Sequence, residues 1–172
     1  DDVVVVVGDQ HELAADRARL ANADRLAQDE HIPGPPFDTV VTRKPRGPAL
    51  LIVPWNWPLS ILGAKLPQAL MSGSTVVIKL PEQATLAPAL TVALMAEMLP
   101  PGVLNLVTGE VGEIGGYMLS HPLARTINFT GSVRVGKHVM RTAADRLTPV
   151  ALELGGKEAG LVLQDAVLGA EP

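Results

Sequence analysis

The stretch of the chain best suited to bind an anion is residues 128–136, which read Asn-Phe-Thr-Gly-Ser-Val-Arg-Val-Gly. A short β-prone run is followed by a glycine turn and then by a helical composition that opens with Ser132 at its cap. Such a junction directs unpaired amide N–H groups and the positive end of a helix dipole at one point, which suits a phosphate. The segment is therefore a candidate phosphate site, although Gly followed by Ser between a strand and a helix is more often an ordinary connection.

Asn56 is a candidate donor to an oxyanion. Prolines at 54 and 58 fix the backbone around it, just past an apolar run, and so hold its amide in a defined direction. An amide NH₂ group aimed at developing negative charge contributes about 3 kcal/mol to a transition state. The alternative is a turn asparagine beside two tryptophans, Trp55 and Trp57, that fill the core.

Glu153 is a candidate general base. It stands between Leu152 and Leu154 and just before two glycines, and a carboxylate enclosed by apolar neighbours has its charged form disfavoured, which suits a base near neutrality. The alternative is a glutamate at a strand end that faces solvent. Lys79 and Glu82 lie three residues apart beside Pro81, and as a bare pattern they are usually a solvated ion pair.

These residues fall at the ends of predicted strands that alternate with predicted helices. Strands are predicted at 49–53, 75–79, 103–107, 126–129, 149–154 and 160–163, and helices at 59–71, 86–99, 112–120 and 132–144, with Pro67 expected to kink or interrupt the first helix. This rhythm predicts an α/β fold with a doubly wound, mostly parallel sheet and helices on both faces. Ligands of such sheets bind at the carboxyl ends of the strands, where Lys79, Gly109 and Gly131 lie and Asn56 follows closely.

The first 36 residues look different from the rest. Asp9 is placed to cap a surface helix from about residue 10 to residue 30, and the Pro-Gly-Pro-Pro run at 33–36 indicates a boundary. The expected organisation is an N-terminal segment, residues 1–36, and a second unit, residues 37–172. The alternation at 39–44 predicts an exposed strand of a hairpin at an edge.

Composition narrows the classes of function. The 172 residues are 47% hydrophobic and 19% charged, which is typical of a globular protein, and the net charge of −4 with 3% aromatic residues argues against a nucleic-acid partner. The sequence holds no cysteine, and its four histidines have no ligand-like spacing, so no metal site is expected. The opening valine run is too short for a signal peptide or a membrane span, which predicts a cytoplasmic protein without a membrane partner.

Four segments, in order, resemble the aldehyde dehydrogenase superfamily. They are Pro-Trp-Asn-Trp-Pro-Leu at 54–59, Val-Val-Ile-Lys-Leu-Pro-Glu-Gln at 76–83, Phe-Thr-Gly-Ser at 129–132 with Gly136, and Leu-Glu-Leu-Gly-Gly-Lys at 152–157. The resemblance runs from about residue 40 to the end, and four ordered motifs are far more specific than one. It implies a Rossmann-like domain that binds a dinucleotide. One departure is Val111, which stands where the family usually has glycine.

The resemblance also implies residue roles. Lys79 and Glu82 would clasp the two hydroxyls of an adenine ribose, and Glu82 would repel a 2′-phosphate, which favours NAD over NADP. Asn56 would hold the oxyanion, and Glu153 would activate the water that hydrolyses a thioester. The remaining cofactor contacts would be made by Val53, Pro54, Trp55, Gly112, Gly115, Phe129, Gly131, Ser132, Gly136, Leu154 and Gly155.

Similar enzymes use a cysteine nucleophile a few dozen residues beyond the glutamate, and this sequence ends at Pro172 without one. The expectation is therefore the NAD-binding part of an NAD-dependent aldehyde dehydrogenase, incomplete in catalysis as given, whose aldehyde substrate would be handled together with a catalytic domain. The alternative is a nucleotide-binding or assembly module without redox chemistry. An unpaired strand at 39–44 would make the chain self-associate, and a homo-oligomer is the expected state.

Overall fold

A computed structural model gives the structure of residues 28–157 and 159–160. Its main element is a five-stranded sheet in the order β5-β4-β3-β6-β7, in which every pairing of neighbours is parallel. The strands are β3 (Ala49–Ile52), β4 (Val76–Lys79), β5 (Leu104–Val107), β6 (Thr126–Gly131) and β7 (Val150–Leu154). The predicted strands from 49 to 154 are thus confirmed, while most of the strand predicted at 160–163 lies outside the described residues.

Four α-helices connect the strands. They are α1 (Pro58–Met71), α2 (Leu86–Glu97), α3 (Gly116–Ser120) and α4 (Val133–Ala144), and a π-helical turn, Val111–Gly115, leads directly into α3. Each helix lies in the connection between two parallel strands, as a crossover requires. The four helices predicted between residues 59 and 144 are confirmed, with α2 ending two residues earlier than expected.

The sheet separates two hydrophobic clusters, because successive side chains of a strand point to opposite faces. On one face Leu51, Ile78 and their neighbours pack against Leu62 and Leu66 of α1 and against α2. On the other face Leu50, Ile127 and Phe129 pack against α3 and α4. The fold is therefore the doubly wound α/β architecture that the sequence predicts, with helices on both sides of a parallel sheet.

Of the two effects expected of Pro67, a kink or an interruption of α1, the interruption does not occur. The helix runs unbroken from Pro58 to Met71 with Pro67 inside it. Proline removes one backbone hydrogen bond and crowds the carbonyl four residues earlier. That carbonyl belongs to Gly63, an exposed residue without a side chain, so water can satisfy the group that the proline leaves without a donor.

A separate hairpin precedes the sheet. Strand β1 (Glu30–Ile32) pairs antiparallel with β2 (Thr39–Val41), and Arg43 forms an ion pair with Glu30 at 3.2 Å. Glu30 is therefore in a strand and not at the end of a helix, and the rest of the predicted N-terminal helix lies outside the described residues. The strand expected at 39–44 is shorter, and its partner comes from the same chain. The Pro-rich run predicted as a boundary is the loop between these two strands.

Candidate functional site

The carboxyl ends of all five strands of the main sheet form one edge of the molecule. In chain order, β4 pairs with one side of β3 and β5 lies beyond β4, whereas β6 pairs with the other side of β3 and β7 lies beyond β6. The strand order thus reverses between β3 and β6, and a crevice opens at the ends of such a pair of strands. Every site residue predicted from the sequence lies on a strand, loop or helix end at this edge.

Lys79 and Glu82 form a clasp at the end of β4. The Lys79 side chain is 5% exposed, and its Nζ donates to Oε1 of Glu82 at 3.1 Å. The same carboxylate oxygen accepts the backbone N–H of Val111 at 3.0 Å, so Glu82 also holds the start of the π-helical turn. The Glu82 side chain is 40% exposed, and Lys79 and Val111 both contact Oε1, which leaves Oε2 to accept a hydroxyl.

The surroundings of Glu82 favour its ionised form. The hydrogen bond from Lys79 lowers the pKa of Glu82 from its ordinary value of 4.5; partial desolvation works against this, while the charge of Lys79 and the N–H of Val111 add to the lowering. Glu82 is therefore a carboxylate at neutral pH. A carboxylate beside a buried ammonium suits a vicinal diol, because the ammonium can only donate and the carboxylate can only accept.

The junction of β6 and α4 has the geometry predicted for an anion site. Ser132 is the cap of α4, and its hydroxyl accepts the N–H of Val135 at 3.3 Å. The other N–H groups of the first helical turn have no acceptor within the helix, and they carry the positive end of the helix dipole. With twelve residues, α4 is long enough for that dipole to be substantial.

Two glycines bring the backbone close to its neighbours at this junction. A Cβ on Gly131 would lie 2.6 Å from Cζ of the buried Phe129 ring, and one on Gly136 would lie 2.5 Å from Cδ2 of Leu154. Gly136 thus lets α4 approach the end of β7, where Gly155 continues the pairing by donating its N–H to the carbonyl of Gly131 at 3.2 Å. The predicted cofactor residues of β6, α4 and β7 are therefore neighbours.

The loop after β3 carries the asparagine predicted to hold an oxyanion. Val53 is buried, and the chain then passes through Pro54 to a corner in which Trp55 and Asn56 are exposed. Trp55 and Trp57 are 63% and 66% exposed, so these tryptophans do not fill the core. Asn56 stands in an open loop at the crevice edge, immediately before α1.

The loop after β5 departs from a simple helix. Gly109 has a φ of 149°, which favours glycine, and the next residues wind as a π-helical turn that contains Gly112 and Gly115. The side chain of Val111 covers Gly115, since a Cβ there would lie 3.3 Å from Cγ1 of Val111. Val111 therefore occupies surface beside Gly115 that a glycine at position 111 would leave open.

Glu153 does not have the apolar enclosure expected from its neighbours in sequence. Its side chain is 64% exposed, and its Oε2 lies 3.2 Å from Nζ of Lys65 and 3.2 Å from the hydroxyl of Thr130. The neighbours Leu152 and Leu154 cannot enclose it, because residues adjacent in a strand point to opposite faces of the sheet. Glu153 instead shares the α1 face of the sheet with polar partners.

The sequence assigned no individual role to three residues of this polar group: Lys65, Asn128 and Thr130. Lys65 is 5% exposed on α1 and also donates to Oδ1 of Asn128. A signal was present, because Lys65 stands between Leu62 and Leu66 on the apolar stripe of a helix. Likewise, Asn128 and Thr130 alternate with buried Ile127 and Phe129, which places them together on the opposite face.

Within residues 28–157 and 159–160, no three His, Asp or Glu side chains are grouped so that they could hold a metal ion. None of the helices described in that part of the chain combines the length and apolar character that crossing a membrane requires.

Comparison with known proteins agrees with this geometry. The aldehyde dehydrogenase family matches residues 6–170. A 3-succinoylsemialdehyde-pyridine dehydrogenase of a Pseudomonas species is 44% identical over 131 residues, which cover 76% of this chain and 28% of the relative. An NADP-dependent glyceraldehyde-3-phosphate dehydrogenase of Streptococcus equinus is 42% identical over 130 residues, which cover 75% of this chain and 27% of the relative.

A solved structure has the same fold. Betaine aldehyde dehydrogenase from Staphylococcus aureus, crystallised in complex with NAD+, superposes with a TM-score of 0.71 and 34% identity, covering 83% of this chain and 30% of that one. The sheet order and the site at its carboxyl edge define a Rossmann-like α/β domain. The chain belongs to the aldehyde dehydrogenase family. It spans between a quarter and a third of the length of the relatives described above.

Proposed function

We propose that this chain is the NAD-binding part of an enzyme that oxidises an aldehyde to a carboxylic acid. The observation that carries the proposal is the clasp of Lys79 and Glu82 at the end of β4, next to the crevice between β3 and β6. Family membership supports the reaction class, since the relatives of this chain are named as aldehyde dehydrogenases. Bound NAD would supply the acceptor for the hydride that leaves the aldehyde carbon.

The residues at the carboxyl edge fit an adenine dinucleotide. Lys79 and Glu82 would hold the two hydroxyls of the adenosine ribose, one as donor and one as acceptor. The first turn of α4 with Ser132 would hold the diphosphate, because its N–H groups and dipole suit negative charge. Because Gly131 and Gly136 have no Cβ, the backbone beneath that diphosphate can pack closely, as dinucleotide-binding turns require.

NAD is the proposed cofactor, in preference to NADP. Glu82 is ionised at neutral pH and its exposed oxygen would face the 2′ position of the ribose. A 2′-phosphate there would meet a like charge within a few ångströms, which weakens its binding. The NADP-dependent relative from Streptococcus equinus shows that both cofactors occur among similar proteins, so the preference rests on this carboxylate.

Asn56 and Glu153 are the proposed catalytic side chains of this part. The exposed amide of Asn56, in its loop between two prolines, would donate to the oxyanion that develops on the aldehyde oxygen. Glu153 would accept a proton from the water that releases the acid product. The sequence contains no cysteine, so a thiolate that carries the acyl group would have to come from residues outside these 172.

Calorimetric titration of the 172-residue chain with NAD and with NADP tests the cofactor site. We expect saturable NAD binding with a dissociation constant below about 1 mM and weaker NADP binding. In Glu82→Gln the preference for NAD should shrink several-fold, because the amide keeps the shape and loses the charge. The matched control is Glu97→Gln at the end of α2, away from the carboxyl edge, which should leave the preference unchanged. Failure of the chain to bind NAD at millimolar concentration would refute the proposed NAD site.

Self-association is a second part of the proposal. Three large apolar side chains of α2 and Met98, which directly follows the helix, are exposed and spaced four residues apart: Leu86, Leu90, Leu94 and Met98 are 86%, 61%, 55% and 78% exposed. An exposed apolar stripe of this kind usually marks a contact with another protein surface. The hairpin contributes a second candidate surface, because each strand of a two-stranded sheet is paired on one side only. A cytoplasmic location stays a prediction from the sequence.

A further inference from the structure

The ammonium group of Lys65 is held inside the protein. Lys65 lies on the inner face of α1 between the buried Leu62 and Leu66, and its side chain is 5% exposed. A buried charge is costly unless it is paired and hydrogen-bonded, so the groups around it determine whether it stays there.

Two acceptors surround this ammonium. Nζ donates to Oδ1 of Asn128, and it lies 3.2 Å from Oε2 of Glu153. Asn128 stands in the middle of β6, two residues before Thr130, which is aligned with Glu153 across the β6–β7 pairing. The asparagine is thus the inner anchor of Lys65, on the core side, and the exposed glutamate is the outer one.

The contacts of Glu153 all involve one of its oxygens. Lys65 and the hydroxyl of Thr130 both approach Oε2, each at 3.2 Å. Both donors therefore restrain Oε2, and neither of them holds Oε1. Oε1, which neither of these donors contacts, is the oxygen left to take a proton from water.

We propose that Asn128 is a positioning residue for Glu153. Asn128 anchors the ammonium of Lys65 from the core side and so fixes its position. Lys65 and Thr130 together then hold Oε2 of Glu153, which leaves Oε1 to serve as the base. Without the asparagine, Lys65 would have only the exposed Glu153 as a partner and would follow it toward solvent. The assignment of Glu153 as a base rests on the proposed function, whereas the anchoring of Lys65 does not.

Nuclear magnetic resonance of the folded chain tests the anchor without NAD. The Lys65 ammonium signal, identified by its loss in Lys65→Met, should exchange its hydrogens with water slowly in the unaltered chain. In Asn128→Leu, which has similar volume and no acceptor, exchange should become at least about tenfold faster and the Glu153 carboxyl carbon signal should move. Asn128→Asp, which keeps an acceptor, should retain slow exchange. A purely packing role for Asn128 would leave the Lys65 exchange rate unchanged in every folded variant, and that result would overturn the proposal.

A double-mutant cycle covers the case in which Asn128→Leu folds poorly. With Lys65 present, Asn128→Leu should raise the unfolding equilibrium constant at least about tenfold; in a Lys65→Met background it should change that constant less than about twofold, because no ammonium is left to satisfy. Equal effects in both backgrounds would overturn the proposal. Titration of the unaltered chain with NAD reports on the proposed function separately, so the two failures are distinguishable.

Discussion

Replacing Lys79 with methionine separates the binding role of its ammonium from its role in stability. Methionine keeps an unbranched apolar stem in a site where Lys79 is 4% exposed, so the packing around the stem is largely retained. The substitution removes the charge that faces Glu82 and, in our proposal, one of the two groups that hold the ribose.

The cost to folding should be small. Removing one partner of a fully buried ion pair costs about 3 to 5 kcal/mol, because the other charge is left buried without compensation. Here the remaining partner is 40% exposed and keeps the N–H of Val111 at 3.0 Å, so it stays solvated and bonded. We therefore expect Lys79→Met to lower the free energy of unfolding by less than about 1 kcal/mol at neutral pH.

The cost to cofactor binding should be larger. A hydrogen bond between a charged group and a hydroxyl contributes about 1.5 to 3 kcal/mol, which corresponds to roughly 10- to 150-fold in a dissociation constant. Calorimetric titration with NAD at 25 °C measures this change directly. Lys44→Met is the matched control, because Lys44 is exposed between β2 and β3 and lies outside the proposed site.

Two results would refute this reasoning. If folded Lys79→Met binds NAD as tightly as the unaltered chain, Lys79 does not contact the ribose. If Lys44→Met weakens binding as much as Lys79→Met does, the effect is one of overall charge and not of the clasp.

Three further predictions concern folding and association. Because the pKa of Glu82 is lowered below 4.5, first by the Lys79 hydrogen bond, ionised Glu82 contributes stability that is complete above that value and is lost as pH falls through the folded pKa. Glu82→Gln and Lys79→Met should therefore both flatten the fall in unfolding free energy as the pH drops below 4.5, as denaturant titration measures, and an unchanged slope in either would contradict this linkage. Gly131→Ala should destabilise the chain by about 1 to 3 kcal/mol because its Cβ would meet the rigid, buried Phe129 ring at 2.6 Å, whereas Gly63→Ala, in α1 with open space around it, should stabilise by about 0.5 to 1 kcal/mol; thermal unfolding should show the opposite signs. Sedimentation of the chain should show self-association that Leu90→Lys, on the exposed stripe of α2, weakens, and a clean monomer for the unaltered chain would exclude this association.

The alternation of strands and helices was predictable because it depends on the residue types within each short segment. Apolar runs such as 49–53, followed by turn residues and then by a helical composition, mark buried parallel strands whatever the remaining chain does. The position of Ser132 as a cap was predictable for the same reason, since capping depends on one side chain and the backbone three residues on.

The environments of side chains were less predictable, because they depend on partners distant in sequence. The expected enclosure of Glu153 came from its neighbours along the strand, whereas its real partners come from α1 and from the adjacent strand β6. The same is true of Val111, whose bond to Glu82 spans 29 positions. Pro67 shows a related limit: whether a proline breaks a helix depends on what surrounds the residue four positions earlier.

The exposed corner at Trp55 and Trp57 gives the molecule a built-in optical reporter. These are the only two tryptophans among the 172 residues, and both stand within two positions of Asn56. Indole fluorescence of the unlabelled chain therefore originates entirely from the mouth of the crevice. A blue shift or quenching of this emission would report that something has covered that corner, while changes at the opposite end of the sheet would remain spectroscopically silent.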